Sequence, residues 1–350
     1  MQAIILVGGE GRRLRPLTDT RPKPMMPLVD RPFVAHQLDL LRRHGVRDVV
    51  FSCGYRPDAL RAYFGDGGTR GMRLRYVVDP QPLGTAGAIA NAAGMVGDGP
   101  VLVLNGDILT DLDLTEFVAV HRAHGGWGTI ALTPVEDPSA FGLVRLHEDM
   151  SVEDFVEKPG PDQLRDGEPF RINAGTYVLE RPLIDLIPTG VQCSIERQIF
   201  PAVAGEGRLF GHPSECYWRD IGTPVSYLTA THDVLAGRVS TEASAGCAYL
   251  GPAVRLGRGV RVDALSALGA ASAVGPEARI EGSVVGDRSL VGEGARVVRA
   301  IVGARVSIGA GACVDDGAVI GDGAAIASGA HVRADAPVPT GARVERAGSR

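Results

Sequence analysis

From residue 1 to about 235, short aliphatic runs alternate with segments whose apolar residues recur at helical spacing. The runs AIILV (3–7), VRDVVFSC (46–53), LRYVVD (74–79) and VLVLNGD (101–107) are rich in Val, Ile and Leu and read as strands. Between them Val34, Leu38 and Leu41 fall at i, i+4 and i+7, with Gly45 placed to end the helix. This alternation predicts an α/β fold: a Rossmann-like, doubly wound, mostly parallel sheet with helices on both faces. Ligands of such sheets lie at the carboxyl ends of the strands, here Gly8-Gly9, Asp79-Pro80 and Gly106-Asp107.

From about 246 the period becomes six. Leu250, Leu256, Val262, Leu268, Val274 and Ile280 keep one phase, Val285, Val291 and Val297 continue after a five-residue step, and Val302, Ile308, Val314, Ile320, Ile326 and Val332 follow after another. No helix has that period. Three hexads per coil predict a left-handed, triangular parallel β-helix, with the aliphatic positions filling the prism and Gly or small residues turning its corners. These positions predict about five coils. The expected division is an α/β domain over 1–238, a β-helix over 246–336 and a loose tail over 337–350.

A length of 350 residues agrees with two domains, and 45% apolar residues suffice for a sizeable core. The net charge of −5 and dispersed basic residues argue against a nucleic-acid-binding face, whereas a small phosphorylated ligand needs only a local basic cluster. The five cysteines are widely spaced and form no CxxC, which predicts neither a disulfide framework nor a zinc site and fits a reduced, cytoplasmic setting. MQAIILVGG has no basic n-region and reads as a buried first strand rather than a signal peptide. No stretch approaches the roughly 20 apolar residues that span a bilayer, so no membrane partner is expected.

The cations are unevenly chosen. Of 36 Lys plus Arg only Lys23 and Lys158 are lysine, and each precedes a proline, in RPKPMMPL and FVEKPG. The first strand runs into GGEGRRLRPLT (8–18), whose glycines let backbone N–H groups approach a phosphate and whose Arg12, Arg13 and Arg15 add charge; a tight basic turn is the plainer reading. It is not a GxxxxGK[ST] loop, and Leu14 stands where a dinucleotide fingerprint needs glycine, which disfavours a dehydrogenase. Asp107 in NGD and Asp220 in YWRDIGTP are carboxylates that could reach a cation bridging phosphates or simply cap turns. PLGTAGAI (82–89) reads as a helix start with Thr85 as cap, or as a backbone edge for a nucleobase.

In this order and spacing, GGEGRRLRPLT, KPMMPL, PLGTAGAI, NGD, FVEKP, NAGTYVL and WRDIGTP resemble the sugar-nucleotidyltransferase (NDP-sugar pyrophosphorylase) family, many of whose members end in a hexapeptide β-helix. LVGG, NGD and PLGTAGAI look most like its mannose-1-phosphate guanylyltransferase branch. The resemblance implies a nucleoside triphosphate and a sugar 1-phosphate giving an NDP-sugar and pyrophosphate with Mg²⁺, most simply GTP and mannose 1-phosphate. It implies nucleotide contacts at Leu6, Gly8, Gly9, Gly11, Arg12, Arg13, Lys23, Gly84, Thr85 and Gly106. Sugar-phosphate contacts would come from Gly142, Glu157, Lys158, Asn173 and Gly175, and Mg²⁺ would be held by Asp107 and Asp220. Arg13, Lys23, Asp107, Lys158 and Asp220 would carry catalysis. One departure stands out: the family usually has GxGTRL, and Arg12 replaces its small hydroxyl residue.

Other readings stay open. The same reaction could take dTTP, ATP or UTP, or a cyclitol phosphate. A regulatory subunit could bind NDP-sugar without catalysis. A β-helix acyltransferase would want a histidine base, and only His331 lies there. The repeated flat faces of the β-helix point instead to a homo-oligomer, a dimer or higher.

Overall fold

The computed structural model describes every residue except 55, 56, 166 and 347–350. The chain divides into two compact units, residues 1–9 with 37–218, and residues 10–36 with 219 onward.

In the first unit four strands run parallel in the order Val101–Asn105, Gln2–Leu6, Asp48–Cys53, Arg73–Val78. Each lies within two residues of its expected place. Ile4 and Ile5 point to opposite faces and are both fully buried, so the sheet is covered on both sides. On one face Ile4, Val50 and Val103 pack with Ala86 and Ile89 of the helix Gly84–Ala93 and with Phe200. Beyond Val101–Asn105 the sheet turns antiparallel through Arg171–Leu179. That strand also pairs with Gly128–Pro134 and, through Ile172 and Leu143, with the hairpin Gly142–Leu146 and Val152–Glu157.

The order of the parallel strands reverses between Gln2–Leu6 and Val101–Asn105. The chain fills one side first, then returns to the other, which makes their carboxyl ends the switch point of the sheet. The expected helix end is found too: Phe33–Arg43 is followed by Gly45 at φ 77°, whose N–H bonds the Arg42 carbonyl.

In the second unit the hexad positions are all strand residues of a left-handed parallel β-helix. Its three faces carry the strands that begin at Tyr249, Arg255 and Arg261. From Leu268 to Val332 the aliphatic positions are at most 3% exposed. In the first coil Leu250 and Leu256 stay 45% exposed, because no coil precedes them.

The loose tail expected from residue 337 is ordered as far as the described residues reach. Val338 bridges Ile320, and Arg343–Val344 pairs with Ala325–Ile326. The last coil leaves a row of strand N–H and C=O groups, and this segment satisfies them. His331 is exposed, and its Nε2 lies 2.7 Å from Asp315.

Candidate active site

The switch point is built by close backbone approach. The Gly106 N–H donates to the Leu6 carbonyl at 2.9 Å, and a Cβ on Gly106 would lie 2.5 Å from that oxygen, so only glycine fits. The following turn, which carries half-buried Asp107, is bracketed by Gln37, whose Nε2 donates to the Asn105 carbonyl at 2.8 Å and the Ile108 carbonyl at 2.9 Å. Gly8 and Gly9 are exposed at the end of the first strand, and Gly8 packs on Gly54, where a Cβ would meet the Gly8 oxygen at 2.9 Å. Neither Gln37 nor Gly54 stood out in the sequence.

The sugar-side candidates gather on the antiparallel part of the same unit. Gly142 pairs with Glu157, and a Cβ at Gly142 would strike the Phe155 ring at 2.8 Å and crowd the Glu157 carboxylate at 3.2 Å. The strand ends at Glu157, and Lys158 turns into the left-handed region at φ 54°. The Lys158 N–H donates to the Phe141 carbonyl at 2.8 Å. Phe141 packs edge-on against Trp218, and the Trp218 indole donates to the Ala174 carbonyl at 2.9 Å, beside Asn173. Asn173 is engaged at both ends of its amide: it donates to the Tyr177 hydroxyl and accepts from the Gly175 N–H, both at 2.9 Å. Gly175, at φ 69°, is the bulge that brings the strand back into register at Tyr177.

Burial pushes the Glu157 carboxyl above its ordinary range, and the Glu196 charge pushes further, against the opposing pull of Lys158 and Arg197. Tyr177 is raised by burial first, then by Glu196, with a smaller push from Asp107. Glu196 therefore reaches this cluster electrostatically, and sequence reading missed it. It sits in the π-helical turn Ile195–Ile199, accepting from Thr85 Oγ1 at 2.6 Å and Ser194 Oγ at 2.7 Å. Thr85 in turn accepts from the Ile195 N–H at 2.9 Å. Thr85 is thus no helix cap: the helix begins at Gly84, and the Thr85 hydroxyl anchors residues 193–196 instead. Gly84, at φ 70°, lets the Cys193 carbonyl come within 2.5 Å of where a Cβ would be.

The second unit carries the phosphate-loop candidates. Gly11, at φ 65°, opens a short 3₁₀ turn Arg12–Leu14 that is anchored by fully buried Leu14. Arg12 is exposed and paired with Glu10 at 2.7 Å. Arg13 is also exposed, with Nη2 3.8 Å from Asp220. Lys23, by contrast, is 7% exposed, and its Nζ lies 3.7 Å from the other oxygen of Asp220. These distances gather two cations around one carboxylate. A Cβ at Gly222 would fall 2.5 Å from Arg13 Nη2 and 2.9 Å from Asp220 Oδ1, so this glycine makes the room in which both groups meet. The two lysines therefore differ: Lys23 is buried, whereas Lys158 is exposed.

The first unit thus carries the strand-end turn with Asp107, and the second the short Arg12–Leu14 turn with Lys23 beside Asp220. The chain belongs to the nucleotidyl transferase family, whose model matches residues 2–237; a second model, described as the GMPPB C-terminal domain, matches 244–342. The mannose-1-phosphate guanylyltransferase of Mycobacterium tuberculosis is 40% identical over 251 residues, 70% of this chain and 68% of that protein. The mannose-1-phosphate guanylyltransferase catalytic subunit beta of Dictyostelium discoideum is 40% identical over 235 residues, 65% of this chain and 63% of its own length. Among solved structures, HddC from Yersinia pseudotuberculosis complexed with GMP-PN is 26% identical with a TM-score of 0.56, covering 67% of this chain and 99% of that one.

Members of this family generally use a divalent metal. The donor chemistry here fits a hard cation. Each unit offers one candidate carboxylate, Asp107 in the first and Asp220 in the second, and among the described residues no group of three or more His, Cys, Asp or Glu could hold a metal ion. Also among the described residues, no helix is long and apolar enough to cross a membrane.

Proposed function

We propose that this chain makes GDP-mannose and pyrophosphate from GTP and mannose 1-phosphate. The substrate pair is supported by the names of the relatives at 40% identity. The chemistry is carried by one observation above the others: a buried lysine, Lys23, beside the carboxylate of Asp220, in a chain whose other cations, Lys158 apart, are arginines.

An oxygen of the sugar phosphate attacks the α-phosphorus of the nucleotide. The new P–O bond forms as the bond to the β-phosphate oxygen breaks, and pyrophosphate leaves with the electron pair. The attacking oxygen is already anionic, so no general base is required; catalysis is positioning and charge neutralisation. In this reading Arg13 and Arg12, with the backbone of Leu6, Gly8, Gly9, Gly11 and Gly106, bind the triphosphate. Lys23 neutralises the α-phosphate oxygens as negative charge builds there. Lys158 holds the phosphate of the incoming sugar, and Glu157 and Asn173 meet its hydroxyls, with Gly142 and Gly175 beside them. Gly84 and Thr85 line the nucleobase side. Asp107 and Asp220 are the carboxylates that would hold Mg²⁺, which would supply positive charge to neutralise the phosphates.

The deciding experiment is pyrophosphate release over a grid of nucleoside triphosphates and sugar 1-phosphates with Mg²⁺. GTP with mannose 1-phosphate is expected to give the highest kcat/KM. A different best pair would replace the substrates but keep the reaction, and no product from any pair would return the chain to a non-catalytic binding role. The proposal includes a reducing, cytoplasmic setting, supported by five free cysteines. It also includes self-association through the β-helix, supported by the exposed Leu250 and Leu256; a clean monomer by light scattering would remove that part.

A further inference from the structure

We infer that Asp322, a β-helix residue, is a positioning residue for Lys23, so that the β-helix helps to set the geometry of the phosphate chemistry. This rests on the role proposed above for Lys23. Asp322 is a buried carboxylate that does more than bond the adjacent coil, as Asp287 does through the Ala270 N–H: it also reaches a segment far back in the chain. Asp322 occupies a corner of the prism, is 4% exposed and breaks no rule of the hexad core. Its partners lie about 300 residues back in the chain: Oδ2 accepts from Thr20 Oγ1 at 2.8 Å and from Arg21 Nη2 at 2.7 Å. Oδ1 accepts from the Ala304 N–H at 2.8 Å, which fixes the carboxylate to the adjacent coil, and Arg305 approaches Oδ2 at 3.6 Å. Gly303 is needed for this placement, because a Cβ there would lie 2.5 Å from Oδ1.

Thr20 and Arg21 stand directly before the short turn Lys23–Met25. The same segment is held elsewhere. The Tyr227 hydroxyl donates to the Pro27 carbonyl, and Thr340 Oγ1 donates to the Pro16 carbonyl at 3.5 Å. Leu17 and Met26 face Val284, Ile301 and Val302 of the β-helix across a small cavity. The apolar contacts and carbonyl bonds hold the ends of the segment. Asp322 holds its middle, by charge-assisted bonds that are directional in a way apolar packing is not. A displaced Thr20–Arg21 step would carry Lys23 with it, two residues on. Burial alone would raise the Asp322 carboxyl, but Arg21 and the bonds from Thr20 and the Ala304 N–H outweigh it and leave the group below its ordinary range, as expected of a carboxylate that stays charged to hold its partners.

The test uses the full chain and the best substrate pair from the grid. Asp322→Asn keeps the shape and removes the charge; kcat is expected to fall about 10- to 100-fold, with KM for the sugar phosphate changed less than twofold. Arg21→Met, which leaves Asp322 its other donors, is expected to give the same pattern at about tenfold and serves if Asp322→Asn fails to fold. The discriminating readout is coupling. Lys23→Ala alone should abolish most turnover, and adding Asp322→Asn to it should cost less than twofold more, whereas a general loss of fold would multiply the two effects. Wild-type kcat in both Asp322→Asn and Arg21→Met would overturn the inference while leaving the function intact. Wild-type kcat in Lys23→Ala would instead overturn the role of Lys23 on which it rests.

Discussion

In the β-helix a residue type is repeated until position hardly matters; in the sheet unit each polar residue is used once. Twelve successive aliphatic positions from Leu268 to Val332 are buried to the same depth in the same kind of environment. The sheet unit instead contains Gln37, Asn173, Thr85 and Glu196, each with partners no neighbour could replace. The contacts of the first case are many and alike, and those of the second are few and unlike. The segment 10–36 breaks this pattern, because it joins the β-helix unit while carrying Arg13 and Lys23. Substitutions that separate activity from stability are therefore the way to probe it.

The largest effect is expected at the two lysines. Lys23→Arg keeps the charge, but the stem is confined: a Cβ at Gly11 would already lie 3.1 Å from Lys23 Cβ, and a broader guanidinium has to enter the same buried space beside Asp220. Turnover is expected to fall about 1,000-fold, with the change in kcat. Lys158→Arg, at an exposed site, should cost about 100-fold through a poorer fit to a single phosphate oxygen. Near-normal turnover of either variant under saturating substrates would remove that lysine from the chemistry.

Next comes the reverse case, stability without chemistry. Ile308, 2% exposed inside the prism, is expected to cost about 2–5 kcal/mol on truncation to Ala. Leu256→Ala, at the same hexad position in the uncovered first coil, should cost about 0.5 kcal/mol. Urea unfolding of the two variants compares them directly, and equal losses would mean that the first coil is covered in solution.

How much of this was legible in the sequence follows from the same contrast. A period of six is local and repeated, so the β-helix and every one of its aliphatic positions could be read directly. The strands were legible because their burial on both faces leaves unbroken aliphatic runs. The chemistry-bearing residues at strand ends were legible as types. What the sequence hid is partnership over distance: Glu196 meets Thr85 across 111 residues, and Asp322 meets Arg21 across 301. The tail was misjudged because its few aliphatics do not announce that the last coil needs an edge partner, which Val338 and Val344 supply.

Gly222→Ala sharpens the comparison at smaller scale. The backbone there accepts alanine, and the atom first struck is the far end of the flexible Arg13 side chain. Stability should be unchanged, while kcat falls about tenfold as Arg13 is pushed off Asp220. An unchanged kcat with normal Tm would show that Arg13 is not needed where the structure puts it.

The smallest expected effect lies at Glu157, and its sign is what matters. Its carboxyl is raised in the folded state by burial and by Glu196, so the folded protein holds that proton more tightly than the unfolded chain does. Its contribution to stability is therefore most favourable below the ordinary glutamate value of about 4.3 and is lost as pH rises through the raised folded value. At neutral pH the residue is a charged group kept in a costly place. Glu157→Gln removes that cost, so the variant should melt slightly higher at pH 7, on the order of 1 °C, with the difference vanishing below about pH 4. The exposed half of the side chain screens the effect, which keeps it small. The same substitution should lower kcat/KM for the sugar phosphate, because a carboxylate that accepts from two hydroxyls becomes an amide that accepts with one oxygen. A gain in stability paired with a loss of activity is the mark of a residue kept for its chemistry. Parallel losses in both would instead place Glu157 with the β-helix aliphatics, as part of the packing alone.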